Sequence, residues 1–332
     1  MSRLSNPLRI GFSLIVILVL PVLAEAQNVK IKVGAASSPP ILDTITPYVA
    51  VEKGFFKKYG LDVEIVEFRG DVIGTKALLA NDVDVLLNLG ATSAMVSASQ
   101  GAKIHTWVVP HPVTPYHFVG RKETGATIKA LVGKTIAVSG IGAVSYHIPR
   151  IILEKNGIDP EKVNYVVAGS NADRFRALIS GKADAAMVST IEAAKLDSFP
   201  DLVDLVVVAK VVPEIPFIFG VARDDYIQKN SETMYRLTKS VIEATRWIAA
   251  NKAGTVEVAA KVIPEEKPEI LSKAYDLADP RLWGVNGDIS EAAYKYTLNF
   301  LLKVGFMKDP IAYDKLFDRR FVDRTLKELG RK

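Results

Sequence analysis

Beyond its first two dozen residues, the chain alternates short runs of β-branched and aliphatic residues with longer stretches whose apolar positions recur at helical spacing. The runs at 29–33, 62–66, 83–87 and 104–109 predict buried strands, since each is apolar, short and bounded by turn residues. The stretches 45–58, 72–80 and 92–100 between them predict helices, and Gly60 after Lys57 and Lys58 marks the first helix stop. Strand and helix alternating in this way predict a mostly parallel sheet covered on both faces.

A second series repeats the rhythm, with strands predicted at 135–139, 163–167, 183–188 and 202–208 and helices at 145–156, 171–180 and 191–198. The two series also share residues. Lys58-Tyr59-Gly60-Leu61-Asp62 is answered by Lys155-Asn156-Gly157-Ile158-Asp159, and Ala77-Leu78 with Asp84 by Ala177-Leu178 with Asp184. This predicts two similarly built lobes rather than a coincidence of common turn chemistry. Pro110, Pro112 and Pro115 crowd the passage between the series, and Pro213 and Pro216 crowd its exit. Each passage leads into a short strand, at 116–119 and 217–221, and two such crossings suit a hinged pair of lobes. The expected division is 27–117 with 222–332 as lobe 1 and 118–221 as lobe 2. From Asp224 the pattern is helical. Met234, Leu237, Val241, Ala244 and Ile248 mark one apolar face, and helices at 269–277 and 292–304 are expected to pack back on the first lobe.

The chain's beginning sets the expected compartment. Arg3 and Arg9 precede an apolar run at 10–23, and Ala24-Glu25-Ala26 supplies a signal-peptidase pattern. That run is shorter than the roughly 20 residues of a spanning helix, so residues 1–26 read as a cleaved signal and the mature chain as soluble and periplasmic. Cysteine is absent, which removes disulfides, thiolate metal sites, cysteine nucleophiles and a lipid-anchored cysteine together. The net charge of +5 is spread among interleaved acids, a solvated surface rather than a nucleic-acid footprint.

The segment Val51-Glu52-Lys53-Gly54-Phe55-Phe56-Lys57-Lys58-Tyr59-Gly60-Leu61-Asp62-Val63-Glu64 resembles the first helix and following strand of a known family. That family is the nitrate/sulfonate/taurine and pyrimidine-precursor group of periplasmic solute-binding proteins serving ATP-driven importers. Ala77-Leu78 through Asp84, residues 131–138 and Ala177-Leu178 through Asp184-Ala185 carry the resemblance further. It implies a two-lobed α/β fold of type II, with a small-molecule ligand between lobes and a membrane permease as partner. A monomer without cofactor is expected.

Ligands of open α/β sheets sit beyond the carboxyl ends of strands, beside helix starts. This singles out Ser37 and Ser38, Arg69 and Asp71, and Ala91 and Thr92 in the first lobe. In the second it singles out Gly140, Gly142 and Ser145, then Ser170, Asn171 and Arg174, then Ser189, with Tyr116 and Phe217 as aromatic faces at the crossings. The run from Ser139 to Ser145 imitates a dinucleotide fingerprint but lacks its third glycine and the acid expected about 20 residues on; it reads as a binding loop or a tight turn. Ser170 to Asp173 reads as a helix cap. Arg69 and Arg174 read as counter-charges in the cleft or as solvated residues, with Asp71 neutralising Arg69. His105, His111 and His117 are evenly spaced but fall on separate elements without a completing carboxylate, and His147 is the histidine expected at the cleft. No Gly-x-Ser-x-Gly elbow, His-Glu-x-x-His helix or phosphate loop is present, and a fungal pyrimidine synthase of the same group depends on cysteines this chain lacks. The expected function is therefore capture of a small organic or inorganic anion at helix N-termini. The alternatives are a neutral pyrimidine or aromatic ligand, an exported sensor for a membrane kinase and, last, a periplasmic enzyme.

Overall fold

In a computed structural model the described residues are 28–332, so the expected signal segment lies outside them. Ten strands form two five-stranded sheets. They are β1 (Val29–Ala35), β2 (Leu61–Glu67), β3 (Val85–Gly90), β4 (Ile104–His111), β5 (His117–Arg121), β6 (Thr135–Val138), β7 (Asn164–Val167), β8 (Ala185–Val188), β9 (Leu202–Val207) and β10 (Ile218–Arg223). One sheet has the order β2-β1-β3-β10-β4 and the other β7-β6-β8-β5-β9. In each, one strand runs antiparallel between parallel neighbours: β10 between β3 and β4, and β5 between β8 and β9. Each antiparallel strand is the one the chain enters on crossing from the other sheet. The result is a two-lobed α/β fold with two connections between lobes.

The repeated residues do the same work in both sheets. Asp84 accepts from the Lys32 backbone N–H at 2.8 Å, and Asp184 accepts from that of Thr135 at 2.9 Å. The same two acids donate their own backbone N–H groups to the carbonyls of Lys32 and Thr135. Each Asp thereby sets the register of a lobe's third strand against its first. Because Asp84 is spent on this clamp, β3 starts at Val85 and extends through Asn88, Leu89 and Gly90, past the predicted end, where β10 pairs with it. The predicted helix 45–58 is interrupted. Gly54, with φ of 73°, divides it into helices Thr46–Glu52 and Phe55–Lys58.

Helix Ser231–Ala250 buries Met234, Leu237, Val241 and Ala244 of the predicted face in the cluster under the first sheet, while Ile248, also buried, joins the larger cluster. The later helices differ from expectation, because they do not pack on the first lobe alone. Helix Pro268–Leu277 lies against helix Thr190–Ala194 of the second lobe, with Lys195 paired to Glu266 and Lys273 to Asp197 at 2.5 Å. Helix Glu291–Lys303 touches helix Ala91–Ser99, while Lys303 pairs with Glu154 of the second lobe at 2.7 Å. One continuous apolar cluster accordingly runs from Leu42 and Ile45 through Leu271 and Leu301 to Ile136 and Ile148. Helical periodicity gives a helix its apolar face but leaves the partner open, and here the partner is both lobes.

Candidate functional site

Two pairs of the residues named from the sequence meet across the lobes, Thr92 with Gly142 and Tyr116 with Phe217. Ser37, Ser38, Asp71, Gly140, Gly142 and Ser170 are partly exposed, whereas Ala91, Thr92, Ser145, Ser189, Tyr116 and Phe217 are buried. The Thr92 hydroxyl lies 3.4 Å from the Gly142 carbonyl, to which it donates. Tyr116 and Phe217, one from each crossing, meet edge to face with ring centres 5.0 Å apart.

Most of the donors expected to serve a ligand are engaged within the protein. The Asp71 carboxylate accepts from the Gly90 N–H at 3.2 Å and the Ser93 hydroxyl at 2.6 Å, at the start of helix Ala91–Ser99. Burial pushes its pKa up, with these two bonds opposing. Asp71 therefore serves that helix start and does not neutralise Arg69, which is exposed. The Ala91 N–H donates to the Phe217 carbonyl at 2.9 Å. In the second lobe, Glu192 accepts from the Ser189 N–H at 3.1 Å and from its hydroxyl, forming a buried capping box, and burial again raises the acid's pKa. Ser170 and Asp173 form a second box, with the Ser170 hydroxyl 2.5 Å from the carboxylate; that bond is the chief cause of the lowered Asp173 pKa. The cap read from the sequence is thus present at 170–173.

The glycine loop is held by Ser145, whose Oγ accepts from the Ser139 N–H at 2.8 Å. A β-carbon at Gly142 would stand 3.1 Å from the Phe306 ring, whereas Gly140 faces open space. His147 is wholly buried behind the glycine loop, where its ring meets a backbone group of Gly142. Its ring is buried edge-on against Phe306 and Phe300, at 4.6 and 5.5 Å between centres, and burial lowers its pKa to about 3. The evenly spaced histidines separate as expected, though two of them do acquire carboxylates. His105 pairs with Asp224 at 2.7 Å in the first sheet and His117 with Asp204 at 2.6 Å in the second, while His111 is buried beside Thr46.

Arg174 is neither solvated nor paired to an acid in the way a surface arginine would be. It is buried, donating to the carbonyls of Met187 at 2.6 Å and Gly169 at 2.7 Å and to the Asn171 side-chain oxygen. Its guanidinium lies 5.6 Å from the centre of the Tyr116 ring. Burial raises the Tyr116 pKa, and the charges of Arg174, Asp43 and Asp71 also act on its hydroxyl.

Asp43 escaped the sequence reading. It is fully buried in the turn Leu42–Thr44, and burial raises its pKa to about 6. It bonds across the lobes, accepting from the Thr190 N–H at 3.1 Å and hydroxyl at 2.5 Å. A lone acid within Ile41-Leu42-Asp43-Thr44-Ile45 was the available signal, because an ionisable group in an apolar run needs a partner.

Comparison with known proteins bears out the resemblance carried by residues 51–64. The model of the family described as NMT1/THI5 like matches residues 42–254. YtlA of Bacillus subtilis (strain 168), provisionally described as a binding protein, is 23% identical over 296 residues, 85% of this chain and 86% of its own. The formylaminopyrimidine-binding protein of Halalkalibacterium halodurans is 25% identical over 219 residues, covering 61% of this chain and 62% of that one. Among solved structures, the periplasmic nitrate-binding protein NrtA from Synechocystis PCC 6803 superposes with a TM-score of 0.77 at 15% identity, over 92% of this chain and 90% of that one. The fold is that of the periplasmic binding proteins, and with the family model spanning well over half its length the chain belongs to the NMT1/THI5-like family.

Proposed function

We propose that the protein is an exported binding module that captures a small molecule between its lobes and hands it to a membrane importer, without turnover of its own. The lobes are 27–117 with 222–332, and 118–221. We further propose that the ligand is a flat nitrogen heterocycle of the pyrimidine class, bound beside Tyr116 and Phe217 with its N–H groups directed at Asp71. The observation that carries this reading is the occupation of the cleft's helix starts by the protein's own carboxylates. Asp71 sits at 90–93, Glu192 at 189 and Asp173 at 170. An anion would have to displace one of them, or lie beside it at a cost in like-charge repulsion. A neutral or protonated ring instead meets acceptors at Asp71. The relative from Halalkalibacterium halodurans, a formylaminopyrimidine-binding protein by name, supports this choice. Arg174 is the feature in favour of an anionic or carbonyl group on the same ligand, since its partners are carbonyls and not a carboxylate.

Thermal-shift screening tests the ligand class. Hydroxymethylpyrimidine and formylaminopyrimidine are compared with nitrate, taurine, alkyl and aryl sulfonates and aromatic carboxylates. A ligand at about 100 times its Kd adds roughly 2.7 kcal/mol to stability, which raises the midpoint by about 5 to 11 °C. A shift with a sulfonate or nitrate and none with either pyrimidine refutes the heterocycle. Chemical change of the bound compound refutes the binding role. A gene neighbourhood with a permease and ATPase supports delivery to an importer over signalling to a membrane kinase.

A further inference from the structure

We propose that Asp43 and Thr190 form the latch that fixes the closed arrangement of the lobes, making Asp43 a positioning residue that sets how long a captured molecule stays without touching it. The inference rests on the cleft reading above, in which the lobes part and close. Three observations support it. Both carboxylate oxygens of Asp43 are engaged by one residue of the opposite lobe, Oδ2 by the Thr190 N–H and Oδ1 by its hydroxyl. Both residues are wholly buried, so neither can exchange its partner for water while the lobes are closed. Both are also held rigidly from behind. The Thr44 carbonyl accepts from Asn88 at 3.0 Å at the cleft end of β3, and Ser189 with Glu192 fixes the turn that carries Thr190.

Among the described residues no cation compensates Asp43 directly. Among the groups facing it, Glu192 opposes its charge and His117, itself paired with Asp204, favours it. The carboxylate is therefore tolerated in the closed state only in the register where both Thr190 donors reach it, because a buried acceptor without donors is strongly destabilising. The peripheral pairs Lys273–Asp197 and Lys303–Glu154 are partly solvated and cannot impose a register in this way.

The absence of native cysteine makes a direct test available. Spin labels at Lys76→Cys and Lys182→Cys, both exposed and one in each lobe, report the interlobe distance of the full chain by pulsed dipolar spectroscopy without any ligand. The native background is expected to give a short distance from latched molecules beside a longer one from a minority whose lobes are parted, the population that ligand draws closed. Thr190→Val, which leaves the buried Asp43 carboxylate short of its hydroxyl donor, should enlarge the longer-distance population at least threefold, with Asp43→Ala and Asp43→Asn, which remove the buried charge, giving smaller increases in the same direction. An unchanged distribution in all three variants overturns the latch and makes Asp43 a buried packing residue. Should Asp43→Ala fail to fold, Thr190→Val and Asp43→Asn carry the test, and native distances in both overturn it. Because no ligand is used, this outcome is independent of which compound shifts the melting midpoint.

Discussion

Burial acts in opposite directions on the acids and the histidines of this protein, and the two carry opposite pH signatures. Asp43 is pushed up to about 6, so the folded state takes up a proton there as pH falls from about 6 toward 4, and its ionised form disfavours folding at neutral pH. His147 is pushed down to about 3 from an ordinary value of 6.5, because its ring is enclosed by Phe300 and Phe306. A depressed histidine contributes stability that is whole above pH 6.5 and is lost as pH falls toward 3. At pH 4.5, two units below the ordinary value, that loss reaches about 3 kcal/mol. Phenylalanine can occupy a similar space without titrating. His147→Phe is thus expected to lose about 2 to 3 kcal/mol less than the native protein between pH 7.0 and 4.5 in urea unfolding. The comparison uses the pH dependence and not the absolute stability, so any overpacking by the larger ring cancels. An identical acid slope in the two proteins would show that His147 is not the group that charges.

The duplicated turn that leads into the third strand of each sheet shows what the sequence carries at the level of elements. Residues 81 and 181 are the left-handed positions, with φ of 66° and 73°, and they precede the Asp84 and Asp184 clamps by the same three residues. Glycine meets this requirement at 181 without strain, and asparagine at 81 is the next best choice. Gly181→Ala should therefore cost about 1 kcal/mol through its backbone alone, since the added carbon would stand an ordinary 3.5 Å from Arg121. Asn81→Gly should stay within about 0.5 kcal/mol of native. Equal melting midpoints for Gly181→Ala and the native protein would mean that the turn relaxes into another conformation. This local chemistry was legible, as was the apolar face of helix 231–250. Partners remote in sequence were not. Asp43 finds Thr190 at a separation of 147 residues, and helix Pro268–Leu277 has an apolar stripe that fits either lobe equally well on paper. The same holds for the candidate site. The loops after the strands were legible as loops, but Asp71 and Glu192 claim the helix starts because acids distant in sequence or three residues ahead fold onto them.

At the scale of the whole molecule, the two crossings make each sheet depend on a strand delivered from the other, so the lobes can rotate without either being dismantled. The segment between β4 and β5 and the segment between Val211 and β10 are the only described backbone links at which such rotation need be absorbed. The contacts that oppose it lie away from those links: Asp43 on Thr190, Thr92 on Gly142, Phe306 over Gly142, and the ion pairs of the two bridging helices. None belongs to a strand ladder or to a helix's own hydrogen bonds, and all can break with secondary structure intact. Ligand that stabilises the closed arrangement is then expected to lower the radius of gyration in small-angle scattering while far-UV circular dichroism stays constant. Phe306→Ala removes an aromatic wedge that spans the lobes without touching the aromatic pair Tyr116 and Phe217, so it should raise the ligand-free radius and weaken the response at a given concentration of hydroxymethylpyrimidine. A radius that is the same with and without saturating ligand, and the same in Phe306→Ala, would mean that the bridging helices lock the lobes and that ligand enters by local movement of the 139–142 loop instead.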